Sequence, residues 1–177
     1  VHGALCYCYS GQCLMSEEIG DRSGNRGMCA QPCRLPFTSA YGNGHLFSTK
    51  DMCTLVHIPE LVDAGIDSFK IEGRMKKKEY SAYLSSLYRH YVDVYESEGK
   101  ETFQALVQNK ESRLWKDIRR SKDIYNRGGF CAGYLFETDK KNIMYPKKNG
   151  HFGTCVGTVL KASKGQAVFR VKEALHY

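Results

Sequence analysis

Apolar side chains recur at helical spacing along the middle of the chain. The first such stretch is short, and Gly65, a residue type that often ends helices, follows it. Its apolar positions are Leu55, Ile58, Leu61 and Val62. A longer helix is predicted to begin near Glu79, because apolar positions then repeat at a period of about 3.6 residues. Those positions are Tyr80, Tyr83, Leu84, Leu87, Tyr88, Tyr91 and Tyr95.

A short strand is predicted between these two helices, over residues 66–71. Its alternation places Lys70 and Glu72 on one face and Phe69 and Ile71 on the other. The first 45 residues show little periodicity, which indicates loop rather than packed elements. The order of loop, helix, strand and helix is typical of one unit of an α/β barrel or an open α/β sheet.

In the second half of the chain the spacing of apolar residues changes from helical periodicity to the alternation typical of strands. Helical periodicity extends over residues 100–127, and a break at Gly128 and Gly129 follows it. From about Phe152 apolar and polar residues alternate, which predicts strands on either side of a glycine-containing turn at residues 163–165. We therefore place a boundary near residues 130–150 and predict two units, residues 1–130 and residues 131–177.

Composition narrows the class of protein. The 177 residues are 42% hydrophobic and 25% charged, as in globular proteins, which excludes a disordered or fibrous chain. No apolar run approaches the roughly 18 residues that cross a bilayer, so no membrane partner is expected. Because the chain begins with Val1 and ends soon after a predicted strand, we expect a fragment of a longer protein.

Cysteine is unusually frequent, with eight residues concentrated towards the N-terminus. Nothing in the sequence indicates secretion, so we predict a cytoplasmic protein whose clustered thiols bind metal rather than form disulfides. Four thiolates suit either tetrahedral zinc or an iron–sulfur cluster. Only Cys29 and Cys33 have the close spacing of a zinc ribbon pair, and the wider spacing of Cys6 and Cys13 favours a cluster. Packing is the preferred interpretation for Cys8, Cys131 and Cys155.

Charged residues suggest two further roles. Lys70, Glu72 and Arg74 would share one face of the short strand, where a barrel places its catalytic residues; a structural ion-pair network is the equal alternative. Arg74 is the best anion binder of the three, since its planar fork grips a carboxylate or phosphate. Basic residues at 76–78, 113–122 and 140–148 form either a surface for RNA phosphates or a solvated basic face.

Proteolysis finds little support in the residues. The sequence contains neither a His-Glu-x-x-His zinc motif nor a Gly-x-Ser-x-Gly elbow. A cysteine protease would need a thiolate beside a histidine, and no local pattern singles out His2, His45 or His57 for that task.

Seven short segments together resemble the peptidase U32 family. They span almost the whole chain and comprise residues 2–6 (HGALC), 9–16 (YSGQCLMS), 22–34 (RSGNRGMCAQPCR), 50–53 (KDMC), 67–74 (DSFKIEGR), 126–128 (NRG) and 133–135 (GYL). The resemblance implies the C-terminal part of a TIM-like barrel followed by the start of a small β-barrel domain. It also implies a [4Fe–4S] cluster on Cys6, Cys13, Cys29 and Cys33, with Cys53 as an alternative fourth ligand.

The same resemblance supplies the expected activity. Members of this family are named collagenase-like proteases, while better-understood relatives hydroxylate tRNA or rRNA bases or act in ubiquinone hydroxylation. We therefore expect iron–sulfur-dependent hydroxylation of an RNA base, a tRNA uridine or an rRNA cytidine, with RNA as partner and a small-molecule oxygen donor. The alternatives are a collagenase-like peptidase and a zinc-stapled nucleic-acid-binding module. The oligomeric state does not follow from the sequence.

Overall fold

The computed structural model describes residues 1–9, 12–73 and 76–172 and shows a mixed α/β protein. The strands are β1 His2–Ala4, β2 Phe37–Ser39, β3 Gly42–Gly44, β4 Asp51–Cys53, β5 Ile71–Glu72, β6 Phe130–Cys131, β7 Gly157–Ser163 and β8 Gln166–Val171. The α-helices are α1 Met15–Gly20, α2 Ile58–Asp63, α3 Lys78–Gln108, α4 Arg113–Ile124, α5 Gly133–Phe136 and α6 Lys140–Ile143. Short 3-10 helices occupy Gly24–Arg26, Pro32–Arg34 and Leu55–His57.

A four-stranded sheet in the order β5-β1-β4-β6 joins distant parts of the chain. β1 is parallel to β5 and β4 is parallel to β6, whereas β1 and β4 are antiparallel, with His2 opposite Cys53. Over the described ranges this sheet does not close into a barrel. The α/β class is therefore confirmed, and the TIM-like barrel stays a prediction.

The long helix α3 supplies much of the main core, as its apolar stripe predicts. Its buried side chains include Tyr80, Leu84, Leu87, Tyr88 and Tyr91. The helix is interrupted at Gly99, whose φ of 82° is a backbone conformation that favours glycine. Beyond this break Phe103 is fully buried and packs edge-on against Tyr91 and Tyr95. The helical pattern predicted over residues 100–127 thus divides between the end of α3 and α4.

The strand predicted over residues 66–71 is much shorter in the structure. Only Ile71 and Glu72 pair with β1, where they lie opposite His2 and Gly3. Beyond this pairing, the terminal amine of Val1 donates to the Lys70 backbone oxygen at 2.8 Å, and no residue of β1 lies further along to pair with residues 66–69. The preceding residue, Lys70, therefore lies outside the strand.

The β pattern near the end of the chain is confirmed as the antiparallel hairpin of β7 and β8, which turns at Lys164 and Gly165. Its apolar side chains are exposed: Val159, Leu160, Val168, Phe169 and Val171. The predicted division between residues 130 and 131 falls within β6, and the two-unit organisation stays a prediction. No helix among the described residues is long and apolar enough to span a membrane.

The contribution of α3 to stability can be measured by replacing leucine with alanine at a buried site in α3 and, as a control, at an exposed site elsewhere. Leu84 is 1% exposed, so Leu84→Ala removes buried methyl groups and should lower the free energy of unfolding by about 2–5 kcal/mol. Leu135 is 86% exposed, so Leu135→Ala should change it by less than about 0.5 kcal/mol. Urea denaturation of both variants measures the difference, and equal losses would contradict this account of the core.

Candidate functional site

Four of the predicted cysteine ligands line one cavity of about 490 Å³. Cys6 follows β1, Cys13 precedes α1, Cys29 follows the 3-10 turn Gly24–Arg26, and Cys33 lies in the 3-10 turn Pro32–Arg34. They therefore reach the cavity from separate segments of a loop-rich region. Apolar and aromatic residues also line this cavity, and the rings of Tyr7 and Phe47 are in edge-to-face contact.

The four thiols are close enough to influence one another. Burial raises the pKa of the Cys33 thiol; Arg34 opposes this increase, and neighbouring Cys6, Cys29 and Cys13 add to it. All eight cysteines are free thiols. Among the described residues, no three His, Cys, Asp or Glu side chains are grouped tightly enough to hold a single metal ion. The thiols thus converge on a space without forming a ready-made site for one ion.

Local hydrogen bonds shape the loop that carries Cys29. The Gln31 backbone N–H donates to the Cys29 sulfur at 3.3 Å, and the Ala30 backbone N–H donates to the Ser16 hydroxyl at 2.9 Å. The second bond ties this loop to α1, just beyond Cys13. The first bond holds the Cys29 sulfur against the turn that follows it.

Arg34 anchors the segment next to Cys33. Its guanidinium is buried and donates to the backbone oxygen of Leu5 at 2.7 Å and to that of Thr49 at 2.6 Å. It also donates to the hydroxyls of Ser48 and Thr49, at 3.1 and 2.8 Å. Because Leu5 directly precedes Cys6, this one side chain fixes the backbone beside two of the four thiols.

The remaining cysteines are placed differently. Cys8 lines the same cavity as the four predicted ligands, which spacing alone did not indicate. Cys53, the alternative fourth ligand, does not line this cavity; it lies in the main core opposite His2, where burial raises its pKa to about 11. Cys131 is also buried, whereas Cys155 is exposed.

A second cavity, of about 610 Å³, shares Cys6, Cys29 and Cys33 with the first. Cations dominate its charged lining, which consists of Arg34, Lys70, Lys76, Arg127 and Glu72. Of the predicted catalytic residues, Lys70 and Glu72 therefore reach this cavity, and Arg74 lies outside the described residues. Their side chains are 85% and 43% exposed and form an ion pair at 3.8 Å, so this pair is solvated rather than buried.

Asp51 and Arg127, near this cavity, were not singled out as candidates from the sequence, whereas Lys76 belongs to the basic stretch at 76–78 that was considered for RNA phosphates. Arg127 is buried and donates from Nε to an Asp51 carboxylate oxygen at 3.0 Å and from Nη1 to the Gln31 side-chain oxygen at 3.1 Å. The other Asp51 oxygen is buried and accepts no hydrogen bond from the described residues. Lys76 lies over the Tyr125 ring, with Nζ 2.9 Å from the ring centroid. The one available signal was the presence of Asp51 and Arg127 in the segments KDMC and NRG.

Comparison with known proteins identifies the family. The sequence profile of peptidase family U32 matches residues 1–145. The chain belongs to this family. It is 34% identical to the "23S rRNA 5-hydroxycytidine C2501 synthase" of Escherichia coli over 99% of the chain and 27% of that protein. It is 39% identical to the "tRNA hydroxylation protein P1" of Bacillus subtilis, over 54% of the chain and 26% of that protein.

Another U32 relative has a different name. The chain is 38% identical to a "Collagenase" of Porphyromonas gingivalis over 53% of the chain and 28% of that protein. The chain thus spans about a quarter of the length of these curated relatives. No solved structure matches it significantly.

The buried pair of Asp51 and Arg127 gives a stability prediction. Arg127→Met leaves the Asp51 carboxylate buried without a countercharge and should lower the free energy of unfolding by about 3–5 kcal/mol. Adding Asp51→Asn removes the unpaired buried carboxylate and should recover part of the lost free energy of unfolding. Lys70→Met breaks the exposed pair with Glu72 and should cost less than about 1 kcal/mol. Thermal and urea unfolding measure all three; an equal effect of the two single variants would contradict the assignment.

Proposed function

We propose that this chain is part of a U32 enzyme that hydroxylates an RNA base and that Cys6, Cys13, Cys29 and Cys33 hold a [4Fe–4S] cluster. The observation that carries the proposal is the convergence of these four thiols on one cavity. The relatives named for rRNA hydroxycytidine synthesis and tRNA hydroxylation supply the substrate class. A cytidine of rRNA and a uridine of tRNA are the two candidate bases.

The donor set fits such a cluster better than it fits zinc. Thiolates are the ligands that iron–sulfur clusters require, and their four sulfurs surround a group several ångströms wide. A single tetrahedral zinc ion requires ligands that all lie about 2.3 Å from one point. The wide spacing of the cysteines and the hydroxylation names of the relatives make the zinc-stapled binding module the less favoured alternative.

The neighbouring cavity gives the substrate a place beside the thiols. When bound, an iron–sulfur cluster supplies electron transfer or an iron that polarises an oxygen ligand. Cys6, Cys29 and Cys33 line both cavities, so a substrate group in the second cavity would lie against the cysteine side. Lys70 and Glu72 reach that cavity as proposed proton carriers or hydrogen-bonding groups. A small-molecule oxygen donor stays part of the proposal.

Surface charge supports RNA as the partner. The chain has a net charge of +7, and α4 carries four exposed cations, Arg113, Lys116, Arg119 and Arg120. Arg113 pairs with Asp117 at 3.6 Å and Arg119 with Glu111 at 3.7 Å. Exposed pairs of this kind are weak, so phosphates can compete for these cations.

We also retain the TIM-like barrel as the proposed architecture of the longer protein. The parallel pairs β1–β5 and β4–β6 are of the type that such a barrel uses, whereas the antiparallel pair β1–β4 departs from it. The small β-barrel domain would include the hairpin of β7 and β8. A cytoplasmic location is proposed with the RNA substrate.

The peptidase alternative rests on the relatives named collagenase. In the described part of the chain no hydrogen bond joins a histidine to a cysteine. His45 instead contacts the Arg34 backbone oxygen through Nδ1 at 2.7 Å, and His57 stacks on Phe136. His2 is buried among aromatic rings, and burial lowers its pKa to about 3. This arrangement offers no activated cysteine nucleophile.

Metal content tests the proposal. Protein purified without oxygen should contain about four irons and four sulfides per chain. Cys13→Ser removes one of the four converging thiols and should lower the iron content to less than about half. Cys155→Ser changes an exposed thiol that does not line the cavity and should leave it unchanged. The measurements are iron, sulfide and zinc analysis together with an absorption spectrum.

Two results would count against the cluster. Zinc at about one per chain, without iron, would favour the binding module. Unchanged iron in Cys13→Ser would exclude Cys13 as a ligand, and the loss of iron in Cys53→Ser but not in Cys33→Ser would make Cys53 the fourth ligand.

Nucleoside analysis tests the activity. Deleting the gene in the source organism should abolish one hydroxylated pyrimidine in rRNA or tRNA, measured by mass spectrometry of digested RNA. The full-length gene should restore it, and full-length Cys13→Ser should not. Unchanged RNA together with gelatin cleavage by the full-length protein would instead establish the peptidase alternative.

A further inference from the structure

Among the cations that line the second cavity, Lys76 is the one whose charge is most available to bind a ligand. Arg34 donates to Leu5, Ser48 and Thr49, and Arg127 donates to Asp51 and Gln31. Lys70 is mostly exposed and pairs with Glu72. Across the described ranges, by contrast, no carboxylate oxygen lies within 4.0 Å of the Lys76 ammonium, which rests on the Tyr125 ring.

The position of Lys76 is set by aromatic contacts rather than by an ion pair. The Tyr125 ring beneath it also stacks on His151, with ring centroids 5.0 Å apart, and meets the Tyr80 ring edge-on. These contacts fix the platform on which the ammonium lies. A cation held against a ring keeps its hydrogen-bond donors for another ligand, since an aromatic face accepts none of them strongly.

The charges that face Lys76 come from several elements. Asp51 in β4 and Glu72 in β5 favour its charged form, and Arg127 and Arg34 oppose it. Burial, followed by the repulsion from Arg127, lowers the Lys76 pKa to about 8. Both carboxylates already have cationic partners, so the cavity has an excess of positive charge. An incoming anion would relieve that excess.

We propose that Lys76 binds an anionic oxygen, of a phosphate or carboxylate group, in the second cavity beside the cysteines. The two sources of this chemistry are a nucleotide phosphate of the RNA substrate and a small organic acid. The inference extends the proposed function but does not need a bound cluster or a hydroxylation step. A failure of anion binding and a failure of the cluster proposal can therefore be told apart, because the first is measured by titration and the second by iron content.

Calorimetric titration of protein purified without oxygen tests this inference at pH 7. The probes are cytidine 5′-monophosphate, cytidine, which lacks the phosphate, and malonate. Lys76→Met should weaken the binding of an anionic probe about tenfold or more, because a hydrogen bond to a charged group is lost. Lys76→Arg should restore most of that binding, and Lys161→Met, at an exposed site on β7, should have no effect.

The dependence on pH separates a direct contact from a structural role. Raising the pH from about 7 to 10 removes the proton of Lys76, so wild-type affinity should fall, whereas Lys76→Arg should keep its affinity because a guanidinium stays charged. Lys76→Arg keeps the other titratable groups nearby, so any change in its affinity with pH measures the contribution of those groups. They are Tyr80 and Tyr125, whose pKa values burial raises, together with His151, Lys70 and the thiols of Cys6, Cys29 and Cys33.

Each outcome has a definite meaning. Loss of cytidine 5′-monophosphate binding alone in Lys76→Met identifies a nucleotide phosphate as the ligand, loss of malonate binding alone identifies a small acid, and either supports the proposal. Equal binding by Lys76→Met and wild type overturns it, as does the absence of saturable binding of both anions by wild type up to about 10 mM. Circular dichroism of Lys76→Met and the recovery in Lys76→Arg show whether a loss reflects unfolding.

Discussion

The buried guanidinium of Arg34 is the interaction on which the cysteine-bearing region depends. This region has few apolar side chains to bury, so a packed core cannot hold it in one shape. Arg34 instead crosslinks three segments by donating to Leu5, Ser48 and Thr49. A buried charge is tolerated when its donors find acceptors, and here each Nη group has two. The same bonds fix the chain beside Cys6 and Cys33, so the anchor of the loop also positions the candidate ligands.

Burial of Arg34 also has an electrostatic consequence for the neighbouring charged groups. Arg34 and Arg127 lie close enough to repel each other, and burial and this repulsion lower the pKa of Arg34. Asp51 pairs with Arg127 and offsets part of that repulsion. The thiols of Cys6 and Cys33 also favour the charged form of Arg34. Arg34 in turn acts to lower the pKa of the Cys33 thiol, but burial outweighs this effect and the pKa is raised.

The elements with strong periodicity were predictable from sequence. The stripe of α3 and the alternation of β7 and β8 agree with the structure, because each reflects contacts between residues near one another in the chain. The strand predicted over residues 66–71 was too long, since its length depends on the three-residue partner β1. Lys70 and Glu72 form the ion pair that the sequence offered as one alternative, and both side chains are substantially exposed; their catalytic role stays a prediction. The break at Gly99 was also missed, because a glycine within a helical pattern does not reveal its φ.

The sequence by itself determined the α/β class, the main helices, the final hairpin and, through its motifs, membership of family U32. It also predicted a shared metal site for four cysteines, but not where in the fold they would meet. Only the tertiary structure decided that they line one cavity, that Cys8 joins them, that Cys53 lies in the core, and that Lys76 and Arg127 face a neighbouring cavity. The physical reason is the distance along the chain over which each signal acts. Periodicity of apolar residues reports the secondary structure of one segment and the face that it buries. The meeting of distant loops depends on the long-range hydrogen bonds of Arg34 and Arg127, which no spacing in the sequence encodes.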